Sequence, residues 1–216
     1  MDVTWLGQSC FRLRGKNAAV ITDPFPPTLG LRLPRQEAEV VTVSHEHENH
    51  SYTQAVRDGA FEIKGPGEYE VAGVSVIGFP TFHDSDKGAK RGKNTVYLIE
   101  IDDVRICHLG DLGHALSDAD AEVVASADVL LVPVGGRTAI TAEQAAEVVR
   151  QLEPRFVVPV HYATPGVKVQ LDGVERFLKE MAVTHVEPMP KLSVQATASE
   201  DWETKVVVLE PKAEPR

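Results

Sequence analysis

The chain has 216 residues, 43% of them hydrophobic and 25% charged, which is enough for a sizeable core, and it contains no apolar run long enough to cross a bilayer. Its net charge of −10, from 22 Lys and Arg against 32 Asp and Glu, excludes general nucleic-acid binding, which needs a basic surface to release counterions. Cys10 and Cys107 make no disulfide framework, and the opening Met1-Asp2-Val3-Thr4-Trp5-Leu6-Gly7 lacks the basic start and apolar stretch of a secretion signal, so free thiols, no membrane partner and a cytoplasmic location are expected.

In chain order, short apolar runs predict strands at Val3 to Leu6, Cys10 to Leu13, Ala18 to Thr22, Val40 to Ser44, Phe61 to Lys64, Val74 to Phe79 and Thr95 to Ile101. Turns are expected at Gly15-Lys16-Asn17, Pro26-Pro27 and Gly65-Pro66-Gly67, and one helix near Tyr52 to Arg57. The rhythm then changes: strands at Val104 to Leu109, Val129 to Val134 and Phe156 to Val160 alternate with helices. Each helix has an entry signal, Ser117 with Asp120, Thr141 with Gln144 and Asp172 with Glu175, the pattern of side chains that cap unpaired backbone amides. A last strand is expected at Lys205 to Leu209, after the polar segment Ala196 to Trp202. No linker divides the halves, which predicts one domain over 1–210, two layers of sheet covered by helices, with a frayed tail over 211–216.

Chemistry concentrates where the run Val40 to Ser44 gives way to His45-Glu46-His47-Glu48-Asn49-His50. Eight histidines spread at random would put roughly 0.2 in such a window. His45 and His47 are two apart, so in extended backbone they point the same way and can chelate one ion, while His50 lies beyond, available to a neighbouring one. The helical zinc-protease pattern is excluded, because Asn49 stands where it requires its second histidine. More candidate ligands follow apolar strands at His83, at His108 and Asp111, and at His161, and strand ends open into clefts where imidazoles and a carboxylate can converge on an ion. The segment Lys87-Gly88-Ala89-Lys90-Arg91-Gly92-Lys93-Asn94 runs against the overall charge; it reads either as a solvated loop or as a holder for an anionic substrate group.

This order of motifs resembles the metallo-β-lactamase-fold hydrolases, and among them the ascorbate-6-phosphate-lactonase-like branch. The resemblance covers nearly the whole chain, through Trp5-Leu6-Gly7-Gln8-Ser9-Cys10-Phe11, Thr22-Asp23-Pro24-Phe25, the histidine cluster, His83, Arg91-Gly92-Lys93-Asn94, His108-Leu109-Gly110-Asp111-Leu112-Gly113-His114, Pro133-Val134-Gly135-Gly136 and Pro159-Val160-His161-Tyr162. It implies an α/β (α+β) fold, a four-layer αββα sandwich. It also implies a hydrolase that uses a metal-bound hydroxide on an ester, lactone or phosphodiester, with one or two Zn²⁺ per chain, or Mn²⁺ in their place, and the basic Lys87 to Lys93 segment makes a small anionic substrate the expectation. Carried over position by position, His45, His47 and His83 would hold one metal, His50 and His161 a second, and Asp111 would bridge them. Asp111 and Asn49 would be the catalytic positions, and Arg91, Lys93, His108 and His114 would contact substrate or orient ligands. His185 has no motif around it and reads as structural. A small-molecule substrate is the expected partner, and a homo-oligomer is left open.

Two positions depart from the pattern. Asn49 stands where the family usually has a ligating Asp, which predicts a weaker second site and leaves open a non-catalytic metal- or ligand-binding protein, with Glu48 or Asp84 as residues to compensate. Gln8 stands where many relatives carry a histidine.

Overall fold

The central strands of this protein are buried on both faces, and that explains their unbroken apolar runs. Val129–Pro133, Val40–Val43 and Ala19–Thr22 have every residue buried, as parallel strands between two covering layers must. A computed structural model describes residues 1–198 and 202–216, so part of the polar segment 196–202 lies outside the described residues.

The strands in chain order are β1 (Asp2–Gly7), β2 (Cys10–Arg14), β3 (Ala19–Thr22), β4 (Leu31–Arg32), β5 (Val40–Val43), β6 (Phe61–Lys64), β7 (Gly67–Val71), β8 (Val74–Phe82), β9 (Lys93–Ile101), β10 (Val104–His108), β11 (Val129–Pro133), β12 (Phe156–Val160), β13 (Leu192–Ser193), β14 (Lys205–Val206) and β15 (Glu214–Pro215). The helices are α1 (Asp118–Val124), α2 (Ala142–Leu152) and α3 (Glu175–Glu180). One sheet runs β13-β1-β2-β3-β5-β6 and the other β14-β12-β11-β10-β9-β8-β7. Both contain antiparallel neighbours followed by a parallel run: β3, β5 and β6 in the first sheet, where β13 later returns antiparallel to β1, and β10, β11, β12 and β14 in the second. The parallel strands of each sheet therefore end on the same edge, and their carboxyl ends supply the site.

Trp5, Phe11, Leu13, Val20 and Val40 of the first sheet belong to the same buried cluster as Tyr97, Ile99, Ile106 and Val158 of the second. Burying each such side chain contributes on the order of 1.5–3 kcal/mol. The Tyr97 hydroxyl fastens the layers by donating to Val43 O at 2.8 Å. Helix α2 packs on β11 and on α1 and α3, and its Ala145, Val148, Val149 and Leu152 are buried. Among the described residues, no helix is long and apolar enough to cross a membrane.

The two expected capping boxes are present: Ser117 Oγ accepts from Asp120 N, and Thr141 Oγ1 from Gln144 N, with the reciprocal bonds made. The third is not, because α3 begins after Val174 without a side-chain cap, and Asp172 instead pairs with Arg137 and Arg176. The helix expected near Tyr52 to Arg57 is a single 3-10 turn, Thr53–Ala55, within irregular chain. Strand β7 lacks an alternating apolar signal, being mostly solvent-facing, and it pairs with β8 through a two-residue turn at Ala72 and Gly73, both at positive φ. On the outer face of the first sheet, Leu6, Ile21 and Val41 pack against Phe25, Leu29 and Leu31 of the segment between β3 and β5. The C-terminal segment helps cover that face, which corrects the expectation of a frayed tail. Ala213 is buried, Lys212 N and Ala213 N donate to Trp5 O and Leu6 O, and β15 pairs with β4. The tail stays because its backbone amides find partners, something its charged composition does not signal.

Candidate metal centre

Five segments from both sheets bring chemistry together, each where a strand stops. Asp23 follows β3, His45 and His50 follow β5, His83 follows β8, Asp111 follows β10 and His161 follows β12. Two of these residues leave their strands at positive φ, Asp23 at 37° and His161 at 51°. Non-glycine residues sit there at a cost of about 1–3 kcal/mol each, and the turn re-aims their side chains.

The Asp111 carboxylate is at the centre. Its Oδ2 lies 3.2 Å from His83 Nε2, 3.3 Å from His161 Nε2 and 3.5 Å from His50 Nε2. The His45 ring is 4.4 Å from that of His50 and 4.6 Å from that of His83, centroid to centroid. Two triads of potential ligand atoms result, His45-His83-Asp111 and His50-Asp111-His161, sharing Asp111. Donor separations of this size match the edge of a tetrahedron with bonds of about 2.0 Å, roughly 3.3 Å. His45 Nε2, His83 Nε2 and Asp111 Oδ1 are buried without a hydrogen-bond partner, an arrangement that costs stability unless something else binds there. The donor set thus fits divalent ions, with Asp111 able to serve both.

Asp23 also lies close to His45 and His50, but its oxygens are already used. Oδ1 accepts from Ser44 N at 2.8 Å, and Oδ2 accepts from Ser44 Oγ at 2.5 Å and faces His50 Nδ1 at 2.9 Å. With Ser44 Oγ donating to Asp23, its lone pair faces His45 Nδ1 at 2.9 Å. In their neutral forms both rings therefore carry their proton on Nδ1 and turn a free Nε2 to the centre. Asp23 is the back support of the site, the carboxylate–histidine arrangement that orients ligands.

Asn94 gives the second support. Its Nδ2 donates to Thr81 Oγ1 at 2.8 Å and to Leu109 O at 3.0 Å, and its Oδ1 accepts from Asp111 N at 3.0 Å. Gly110, at φ 58°, lies against Asn94 Oδ1 and Ser44, leaving no room for a Cβ. The glycine thus lets the chain turn into Asp111 while Asn94 holds the turn.

A cleft of about 740 Å³ opens beside the centre, lined by His45, His47 and His83 and by Lys64, Lys90, Arg91 and Lys93, with Glu46 among them. Arg91 reaches across it, its Nη1 3.4 Å from Thr138 O. Lys64 joins the basic side from the end of β6, a placement that needs the β5–β6 pairing and has no local sequence signal.

Three expected positions, His47, His108 and His114, fall outside both triads. His47 is exposed, its ring 6.0 Å from that of His45, with Nδ1 facing Asn49 N, so it stands at the rim and outside both triads. Asn49 is buried. His108 is wholly buried, which removes it from substrate contact. His114 Nδ1 lies 2.7 Å from Ala115 O and its Nε2 accepts from Phe82 N, so it braces the strand before His83 and has no ring nitrogen to offer. Neither proposed compensator for Asn49 serves: Glu48 is exposed, and Asp84 accepts four backbone N–H groups. Burial alone would raise the Asp84 pKa, and those amides hold it down to about 2. His185 is exposed and pairs with Glu187.

Burial sets the protonation of the cluster. It pushes His45 down to about 3, with His50 adding repulsion, and His161 down to about 4. His50 goes the other way: burial opposes its charge, but Asp111 and Asp23 outweigh it and raise the pKa. In metal-free protein, His45 and His161 stay neutral while their unfolded counterparts protonate below about 6.5. Their contribution to stability is therefore fully present above that value and declines as pH falls toward 4. The expected slope is about 1.4 kcal/mol per pH unit for each proton not offset by His50. Urea midpoints of metal-free protein between pH 7.5 and 4.5 measure it, and a flat profile contradicts it.

Comparison with known proteins agrees with this geometry. Residues 2–161 match the family model described as the beta-lactamase superfamily domain. A UPF0173 metal-dependent hydrolase of Thermococcus onnurineus is 31% identical over 193 residues, covering 76% of this chain and 85% of its own length. A UPF0173 protein of Pyrococcus abyssi is 29% identical over 189 residues, with 77% and 85% covered. The crystal structure of a Thermotoga maritima protein, described as a candidate Zn-dependent hydrolase of the metallo-β-lactamase superfamily, superposes with a TM-score of 0.77 at 36% identity, covering 97% of this chain and 99% of that one. With two sheets, strand-end histidines around a shared aspartate and these relatives, the chain belongs to the β-lactamase superfamily and is a metal-dependent hydrolase of the metallo-β-lactamase fold.

Proposed function

We propose that this hydrolase binds zinc and acts on a small anionic ester, lactone or phosphodiester. The observation that carries the reading is the cleft, whose lining joins Lys90, Arg91 and Lys93, with Lys64 paired to Glu62, to imidazoles of the metal centre in a protein of net charge −10. An overall negative protein repels anions, so a local cationic wall serves selection of an anionic group.

His45, His83 and Asp111 are the residues proposed to hold one ion, and His50, His161 and Asp111 a second, with His47 beside the first at the mouth. Zinc at such a site lowers the pKa of water and polarises carbonyl or phosphoryl oxygens. The chain's own groups do the rest. Asp23 and Ser44 keep Nε2 of His50 and His45 unprotonated, Asn94 fixes Asp111, and Arg91 and Lys93 orient the anionic group toward the centre.

Both triads are complete without Asn49, so two equivalents of zinc per chain are expected by elemental analysis of untagged protein. One equivalent would confine the reading to a single-ion site. The Arg91→Ala/Lys93→Ala double variant is expected to raise KM about tenfold for an anionic ester, the effect of about 1.4 kcal/mol. An unchanged KM would remove the anionic group from the proposal.

A further inference from the structure

The chain between His83 and Lys93 forms no helix or strand, yet one buried carboxylate gathers its amides. Asp84 Oδ1 accepts from Asp86 N at 2.8 Å and Gly88 N at 2.9 Å, and Oδ2 accepts from Lys90 N at 3.0 Å and Arg91 N at 2.7 Å. Charge-assisted bonds of this kind are about twice as strong as neutral ones and offset the entropy lost in ordering a loop. Gly88 and Gly92, at φ 81° and 85°, let the chain circle the carboxylate. Gly92 O then accepts from His83 N at 3.0 Å, closing the ring onto a candidate ligand.

Two of the four amides belong to Lys90 and Arg91, whose side chains line the cleft. Fixing those amides fixes where both stems start, and so where their charges can reach. Asp84 is too far inside its ring of amides to touch a substrate itself, since both oxygens are taken. We infer that Asp84 is a positioning residue that holds the 85–92 loop as the basic rim of the cleft and thereby sets affinity for anions. The inference rests on the anionic-substrate reading.

The test is calorimetric titration of inorganic phosphate into zinc-loaded full-length protein. It compares wild type, the Arg91→Ala/Lys93→Ala double variant, Asp84→Ala and Asp84→Asn, with metal per chain and amide hydrogen exchange measured on each. Any contact of phosphate with the ions is common to all four, so differences report the loop. Asp84→Ala is expected to weaken phosphate about tenfold, close to the double variant, with faster exchange at Asp86, Gly88, Lys90 and Arg91. Asp84→Asn keeps one acceptor oxygen, should fold where the alanine variant does not, and is expected to weaken phosphate about threefold. If the double variant loses affinity while the Asp84 variants keep it, despite faster exchange, Asp84 is a structural fastener only and the inference falls. If wild type and the double variant bind phosphate alike, the anionic-substrate reading fails first.

Discussion

Asp111→Asn is expected to strip the protein of stoichiometric metal and lower kcat/KM on the order of 10³-fold or more, about 4 kcal/mol of transition-state stabilisation. The substitution keeps size and shape and removes one charge. That charge is the one shared by both triads, with three imidazole Nε2 atoms 3.2 to 3.5 Å from a single oxygen. Burial raises the pKa of Asp111, but His161, His50 and His83 more than reverse this and hold it well below the ordinary carboxylate range. The group is therefore ionised at neutral pH and ready to accept cations. An asparagine there gives each ion a neutral carbonyl oxygen and turns an amide N–H₂ toward nitrogens that need lone pairs for metal. Metal per chain after dialysis, with turnover of an activated ester, measures both effects. Full metal content with wild-type turnover would show that the two triads do not work through Asp111.

The strand ends were the legible part of this site. His45, His50, His83, Asp111 and His161 each stand just past an apolar run, and the structure gathers all five. Residue type and local position carried that information. His47 shows its limit, because two-residue spacing aims side chains alike only while the backbone is extended. The chain turns straight after Ser44, where His47 N donates to His45 O. His108 shows another limit: the end of β10 from Ile106 to His108 is covered on both faces, so no alternation tells a site-facing histidine from one in the core. Asp84 was invisible as a loop anchor because its partners are backbone amides, which every residue but proline carries. The fold followed the same rule. Apolar runs located most strands of both sheets, whereas β7, β13, the tail and the cover of the first sheet depend on pairings between distant segments.

Asp23 lies between the two cases. Its position at a strand end was readable, but its task depends on β3 and β5 lying parallel with Thr22 opposite Thr42, which places Asp23 beside Ser44. Asp23→Asn is expected to weaken metal 10–100-fold and to lower stability by about 3 kcal/mol, with every proposed ligand still present. In the native protein both oxygens face donors: Ser44 N, Ser44 Oγ and, through Nδ1, His50. Asparagine offers one acceptor oxygen, so its amide N–H₂ must face a donor or force a neighbour to change. The His50 ring can accommodate it by moving its proton from Nδ1 to Nε2. That proton then points at Asp111 Oδ2, 3.5 Å away, and occupies the lone pair a metal would take. The defect is one of tautomer, so raising the pH should not repair it, unlike a defect caused by protonation of a ligand. Competition with a chromophoric chelator at pH 7 and 8.5, on variant shown to be folded by circular dichroism, separates affinity from stability. Weaker stability with wild-type metal affinity would make Asp23 a fold residue alone; equal losses at both pH values are the outcome the geometry requires.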